Sequence, residues 1–314
     1  MDRLTELHRH IDCSIRASTL AELARQSGLK EIKSEKEVRE HFWLTRPMNS
    51  LNEVLERLVI FQKVLSSVAI LEQVACEVVE DAHQEGIGEL ELRYSPNFAS
   101  GLSKIPWEDV LNAFVRGLTR GSAKTGVKTG LICILGRGGP PSLADEVIDF
   151  AVAHKKNFIA VDLAGPEENF PCRLYKEAFR RAVDEGFPVT IHAGEACGPE
   201  NIWEAIDLLG ATRIGHGVHA VEDKELMKRL AQDRILLETC PTSNTITQAV
   251  SKWEEHPLPQ FLEAGIPVSI STDDPGIFGI TLQEEFERCK KYLGLTDSDI
   301  HQINQTAHRH TFLK

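Results

Sequence analysis

What most constrains the fold of this chain is a rhythm that repeats eight times: a short apolar run ending in polar or glycine residues, followed by a helical pattern. The runs cover residues 6–12, 88–94, 131–136, 158–163, 188–192, 211–215, 234–239 and 267–272. Between them lie amphipathic stretches such as 142–154, 172–185, 199–209 and 223–231, long enough for the crossover that a parallel strand connection requires. Strand then helix, eight times, predicts an α/β fold, a (β/α)8 TIM barrel. The spacing breaks once, where about seventy residues separate the first run from the second, so a helical insertion (residues 14–86) follows strand 1. Within it, 18–26 and 54–65 have helical periodicity, with Leu51, Leu55, Leu58 and Phe61 on one face. That face either packs on the core or forms a lid over the barrel mouth. No Pro/Gly/Ser linker or charge block divides the chain, and residues 1–314 read as one domain.

A formal net charge of -12 disfavours a polyanionic partner, so nucleic acid is not expected. The longest apolar stretches, such as 131–135, fall far short of the roughly 20 residues that cross a bilayer. The opening MDRLTELHRH has no apolar h-region, and the expected location is cytoplasmic, with no membrane partner. Seven scattered cysteines, none in a CxxC pair, read as small buried residues.

The chemistry-bearing residues gather at strand ends. His8 and His10 are two apart on a predicted strand and share a face. His192 ends the fifth run, His216 follows the sixth, and Asp273 with Asp274 follows the eighth. In a barrel those ends converge on one mouth, so three or four His and one or two Asp form a nitrogen and oxygen set suited to zinc or another first-row divalent metal. Glu195, three residues after His192 in HAGE, is a candidate proton carrier. Asp273 and Asp274 before Pro275 also fit a helix N-cap. GRGGPP at 136–141 lacks the ending of a phosphate loop and reads as a connection, and the HRH tail at 308–310 as a packed or solvated end. The absence of PCxxC excludes the cysteine-ligated zinc deaminase scheme.

TELHRHID, LELRYSPNF, IAVDLAG, TIHAGE, RIGHGVHA, CPTSN and STDDPGIF, in this order from Thr5 to the terminal HTFL, resemble the adenosine deaminase family of the amidohydrolase superfamily. The resemblance implies a barrel with one zinc per chain, held by His8, His10, His192 and Asp273. It implies that Glu195 protonates the purine N1 and that His216 orients the attacking water, takes up its proton and stabilises the developing charge. On the substrate side it implies His10, Asp274 at N7, the Gly165 N–H at N3, and Asp12 at the ribose 5'-hydroxyl. The implied reaction converts adenosine or 2'-deoxyadenosine to inosine or 2'-deoxyinosine plus ammonia, with a small purine nucleoside as the partner. Alternatives are a modified adenine nucleoside, such as aminodeoxyfutalosine or an N6-substituted adenosine, and adenine itself. The chain departs from the family pattern at Cys13, where glycine is expected, which adds bulk at the pocket and removes freedom at positive φ. A hydrolase acting on a non-purine C–N bond, and an inactive relative used for binding, are the rival readings. The complete set of purine partners argues against the first, and the intact ligands and acid against the second.

Overall fold

The computed structural model describes residues 3–29, 32, 34–49, 53–55 and 58–314. All eight expected strands are present: β1 (Leu4–His10), β2 (Ile87–Tyr94), β3 (Lys128–Gly136), β4 (Phe158–Ala164), β5 (Thr190–Ala193), β6 (Arg213–His216), β7 (Leu236–Thr239) and β8 (Val268–Ile270). They are parallel and in sequential order, and helices alternate with them. The ring is not one continuous ladder, however. β1 to β4 form one four-stranded sheet and β5 to β8 another. Single parallel bridges, Val161 to Val189 and Arg9 to Asp273, span the two seams. The last four strands have only three or four residues each, and His192 in β5 and His216 in β6 stand at or next to the C-terminal ends of theirs.

Helix boundaries follow local chemistry. The helix Pro199–Leu209 matches the expected 199–209: Pro199 opens it, and Gly210, at φ 72°, closes it in the left-handed region. The helix Lys224–Gln232 begins after Asp223, whose carboxylate accepts the N–H groups of Glu225 and Leu226. On β2, Leu90 and Leu92 alternate with Glu91 and Arg93, and the charged pair reaches across the barrel interior to Arg213, Asp162 and Glu238. The interior is therefore an ion-pair lattice rather than stacked branched aliphatics, with Arg93, Glu91, Asp162 and Glu238 all fully buried. The tail closes its far end. Phe312 stacks 3.8 Å from the Arg213 guanidinium carbon, so the end after HRH is packed.

One face of the insertion packs on the core, and residues of the same segment line the cavity. Phe61 is buried edge-on against Phe42, with ring centroids 5.5 Å apart, while Leu55 and Leu58 line the cavity at the barrel mouth. Leu51 lies outside the described residues. The insertion is tied to the barrel by the Leu44 N–H donating to the Ile277 carbonyl and the Met48 N–H to the Ile246 carbonyl, both at 2.8 Å. Among the described residues no helix is long and apolar enough to cross a membrane. The seven cysteines are free, and all but Cys197 are buried.

Candidate active site

The C-terminal ends of the strands bring the expected residues together. His8 and His10 leave β1 on one side, with ring centroids 5.6 Å apart, and His8 lies 4.6 Å from His192 and 5.0 Å from His216. One donor atom each from His8, His192, His216 and Asp273 falls within a mutual 4.8 Å, and His10, Asp273 and Asp274 form a second such group. Asp273 joins the two: its Oδ1 is 3.3 Å from His8 Nε2 and 3.2 Å from His10 Nε2. Gly215 permits this convergence, because a Cβ there would stand 3.0 Å from His8 Cε1. His216 (φ 63°) and Asp273 (φ 61°) both take left-handed backbone. That costs a non-glycine residue about 1–3 kcal/mol, and two of the five such residues among those described are at the site.

Beneath the rings lies a layer of carboxylates that sequence reasoning missed. Glu238 Oε2 accepts from His8 Nδ1 at 2.7 Å, and Asp162 faces His192 Nδ1 at 3.0 Å. Arg93 ties the two together, donating to Asp162 at 2.9 Å and to Glu238 at 2.8 Å. Burial alone would raise the Asp162 and Glu238 carboxyls. For Asp162 the His192 ring, donating from Nδ1, and the Arg93 charge outweigh it, and for Glu238 the charges of Arg93 and Arg213 do, so both groups are held below the usual range and ionised. Burial pushes His192 down to about 4, which keeps its imidazole neutral and able to ligate.

These residues fit a metal ion. With its Nδ1 proton given to Glu238, His8 turns a lone pair on Nε2 toward the Asp273 carboxylate, and that buried nitrogen has no hydrogen-bond partner. Two electron-rich atoms facing each other in a buried site are satisfied by a cation between them.

Glu195 is buried, with Oε2 3.5 Å from His216 Nε2. Burial, reinforced by Asp273 and Glu167, raises its carboxyl well above the usual range and keeps it protonated. Thr247 donates to Oε1 at 3.2 Å, which leaves Oε2 as the oxygen that carries the proton. The loop bearing Glu195 is held by Glu167, which accepts the N–H groups of Gly194, Glu195, Ala196 and Cys197 at 2.6–3.1 Å. Arg137, in the stretch read only as a connection, donates to the His192 carbonyl at 2.6 Å.

A cavity of about 290 Å³ opens onto this wall, lined also by Asp12, Cys13, Gly165 and Asp274. Burial lifts Asp12 to about 6. Burial and the charge of Asp273 raise Asp274 well above the carboxylate range, so it is a donor. Asp274 occupies the N-cap position of the short helix Pro275–Phe278, but its side chain makes no capping bond. Gly165, at φ 112°, has a backbone closed to other residues, and a Cβ there would press on Arg137 at 3.4 Å. Cys13, by contrast, is not in the left-handed region, so the thiol causes no backbone strain and the expected loss of freedom at this position does not arise.

The sequence profile of the family described as Adenosine deaminase matches residues 4–314. The chain belongs to the adenosine deaminase family. An adenosine deaminase of Shewanella loihica is 37% identical over 311 residues, covering 99% of this chain and 94% of its own. One of Salmonella typhimurium is 40% identical over 300 residues, covering 95% and 90%. Among solved structures, adenine deaminase of Arthrobacter aurescens superimposes with TM-score 0.92 at 27% identity, covering 100% of this chain and 95% of its own. A zinc-bound amidohydrolase of Burkholderia ambifaria gives 0.90 at 26% identity, covering 99% and 86%. The N6-methyl-AMP deaminase of Arabidopsis thaliana gives 0.85 at 28% identity, covering 99% and 92%. Members of the family share hydrolysis at a C–N bond as their chemistry, and this chain is an enzyme of that kind.

Proposed function

We propose that this chain, acting as a single barrel domain, deaminates adenosine or 2'-deoxyadenosine by hydrolysis. The observation that carries the reading is one 290 Å³ cavity whose wall holds a neutral-carboxyl donor, Glu195, beside His216 and a cation-ready His/Asp cluster. His8, His10, His192 and Asp273 are the residues that would hold one zinc ion, the metal named for the Burkholderia ambifaria relative. When bound, zinc supplies Lewis acidity that makes water a nucleophile near neutral pH.

The side chains do the rest. Addition of water at C6 breaks the aromaticity of the purine and moves electron density to N1. Glu195 Oε2 donates its proton there, an interaction that strengthens as the transition state forms. Protonated Asp274 donates to N7, the Gly165 N–H donates to N3, and His216 orients the attacking water and stabilises the developing charge. The C6 hydroxyl then passes its proton to the amino group, which leaves as ammonia, and the proton that the water shed on adding returns Glu195 to its acid form, leaving the 6-oxopurine.

Asp12, in the cavity wall, suits a ribose hydroxyl rather than a free base. A 5'-phosphate is disfavoured. Among the described lining residues Arg137 is the one Lys or Arg side chain, and the carbonyls of Phe170 and His192 already hold its terminal nitrogens. A modified adenine nucleoside is the second reading, resting on the thiol of Cys13 in the lining. The test is the ultraviolet change when zinc-loaded protein meets adenosine, adenine and 5'-AMP in parallel. Adenosine turnover with kcat/KM near or above about 10⁴ M⁻¹s⁻¹ is expected. Preference for adenine or 5'-AMP, or no turnover of adenosine, overturns the reading.

A further inference from the structure

The histidines of the site are wired in two opposite ways, and the second wiring runs through residues outside the cavity. His8 and His192 each set Nδ1 against a carboxylate, Glu238 or Asp162, which can only accept. Their Nε2 atoms therefore carry lone pairs. His216 instead sets Nδ1 3.0 Å from the side-chain nitrogen of Asn244, and the Asn244 oxygen lies 3.2 Å from His256 Nε2. His256 Nδ1 in turn receives the backbone N–H of Leu258 at 3.2 Å.

A main-chain N–H can only donate, and it fixes every link above it. His256 Nδ1 must accept, so a neutral His256 carries its proton on Nε2 and donates to the Asn244 oxygen. The Asn244 amide is thereby oriented with its NH2 toward His216. That NH2 can only donate, so His216 Nδ1 accepts and the ring proton sits on Nε2. All three residues are at most 3% exposed, out of reach of bulk solvent, and burial keeps His256 neutral by pushing it down to about 3. His216 Nε2 is the nitrogen that faces Glu195 Oε2 at 3.5 Å and Asp273 Oδ2 at 4.0 Å.

We infer that Asn244 and His256 are positioning residues that lock His216 as the Nε2–H tautomer, so that His216 gives a hydrogen bond to the reacting oxygen and neither takes its proton nor ligates a metal through Nε2. The inference rests on the deaminase reading for its reaction and replaces the proton uptake that the family resemblance implies. It also separates His216 from His8 and His192 within one donor cluster. The lone pair that would bind a cation is present in those two and absent in His216.

The test uses the zinc-loaded full-length chain labelled with ¹⁵N-histidine. The wild-type His216 resonances, assigned by loss in His216→Gln, should show an unprotonated Nδ1 and a protonated Nε2. Asn244→Asp places an acceptor where the NH2 stood and should invert that pattern. In the same variant kcat for adenosine should fall by about a hundredfold or more while KM changes by less than about threefold, the signature of a misdirected tautomer. His256→Phe frees the amide to turn over and should produce a mixture of tautomers, with kcat between the two. A proton on Nδ1 of wild-type His216, or an unchanged tautomer and kcat in Asn244→Asp, overturns the inference. The spectrum decides the wiring even if adenosine is not turned over. If adenosine is turned over by a chain with Nδ1–H, the wiring alone fails.

Discussion

Glu238→Gln tests whether the charge beneath His8 holds both the barrel and the candidate metal centre. The carboxylate accepts four hydrogen bonds, from His8 Nδ1 (2.7 Å), Arg93 Nη2 (2.8 Å), Thr190 Oγ1 (2.8 Å) and Arg213 Nε (2.6 Å). Two reach Oε2 and two reach Oε1, and every donor is buried. An amide of the same shape can serve one side. On the other, its NH2 meets two donors, and the two arginines lose their shared counter-charge. Breaking such a buried charged network costs about 3–5 kcal/mol. At roughly 2.1 cal/mol/K per residue, the melting entropy of 314 residues is about 0.66 kcal/mol/K, so the melting temperature should drop by about 5–8 °C. The measurement is made on chelator-treated protein, where metal stabilisation does not enter. Zinc affinity, measured separately by competition with a chromophoric chelator, should weaken about 10–100-fold because His8 loses the partner that orients it. A variant that melts within about 1 °C of the parent and binds zinc equally well would refute the idea that this carboxylate supports the site.

Glu195→Gln should retain zinc and substrate binding but lower kcat at least about a hundredfold, because the amide cannot deliver a proton to N1; near-parental turnover removes that role. Asp12→Ala should depress nucleoside turnover far more than turnover of free adenine, and equal losses would show that Asp12 does not read the sugar. His256 has a folded pKa near 3, below its unfolded value, so its contribution to stability is present above about pH 6.5 and is lost as pH falls toward 3. In urea titrations, the parent should therefore lose about 1.4 kcal/mol per pH unit more than His256→Leu below pH 6, and parallel profiles would count against a buried neutral ring.

The alternation of apolar runs and amphipathic stretches was sufficient for the eight strands and their parallel order, because period-2 and period-3.6 patterns are local properties of the chain. The helix at 199–209 was legible to the residue, since Pro199 and Gly210 carry the signals for its two ends. The residues at the mouth were legible too. His8, His10, His192, His216 and Asp273 all fall at strand ends, and a barrel sends every such end to one place. Cys13 shows the limit of motif reasoning: the pattern asks for glycine, yet the backbone there is not left-handed and does not require it.

Chain order alone could not show which charges meet inside the barrel. Glu238 lies in an apolar run, and nothing local marks it as the partner of His8, 230 residues away. Asp162, Arg93 and Glu167 are equally silent in sequence, because a buried charge is stable only through neighbours that the fold supplies from other strands. Asn244 and His256 lie twelve residues apart in the connection between β7 and β8, and neither shows its link to His216 until packing sets the three in line. The sequence by itself determined the fold and the inventory of reactive groups, because periodicity and residue type are written in the chain. The tertiary structure decided where each proton sits, because protonation and tautomer depend on burial and on partners that only the folded barrel brings within hydrogen-bond distance.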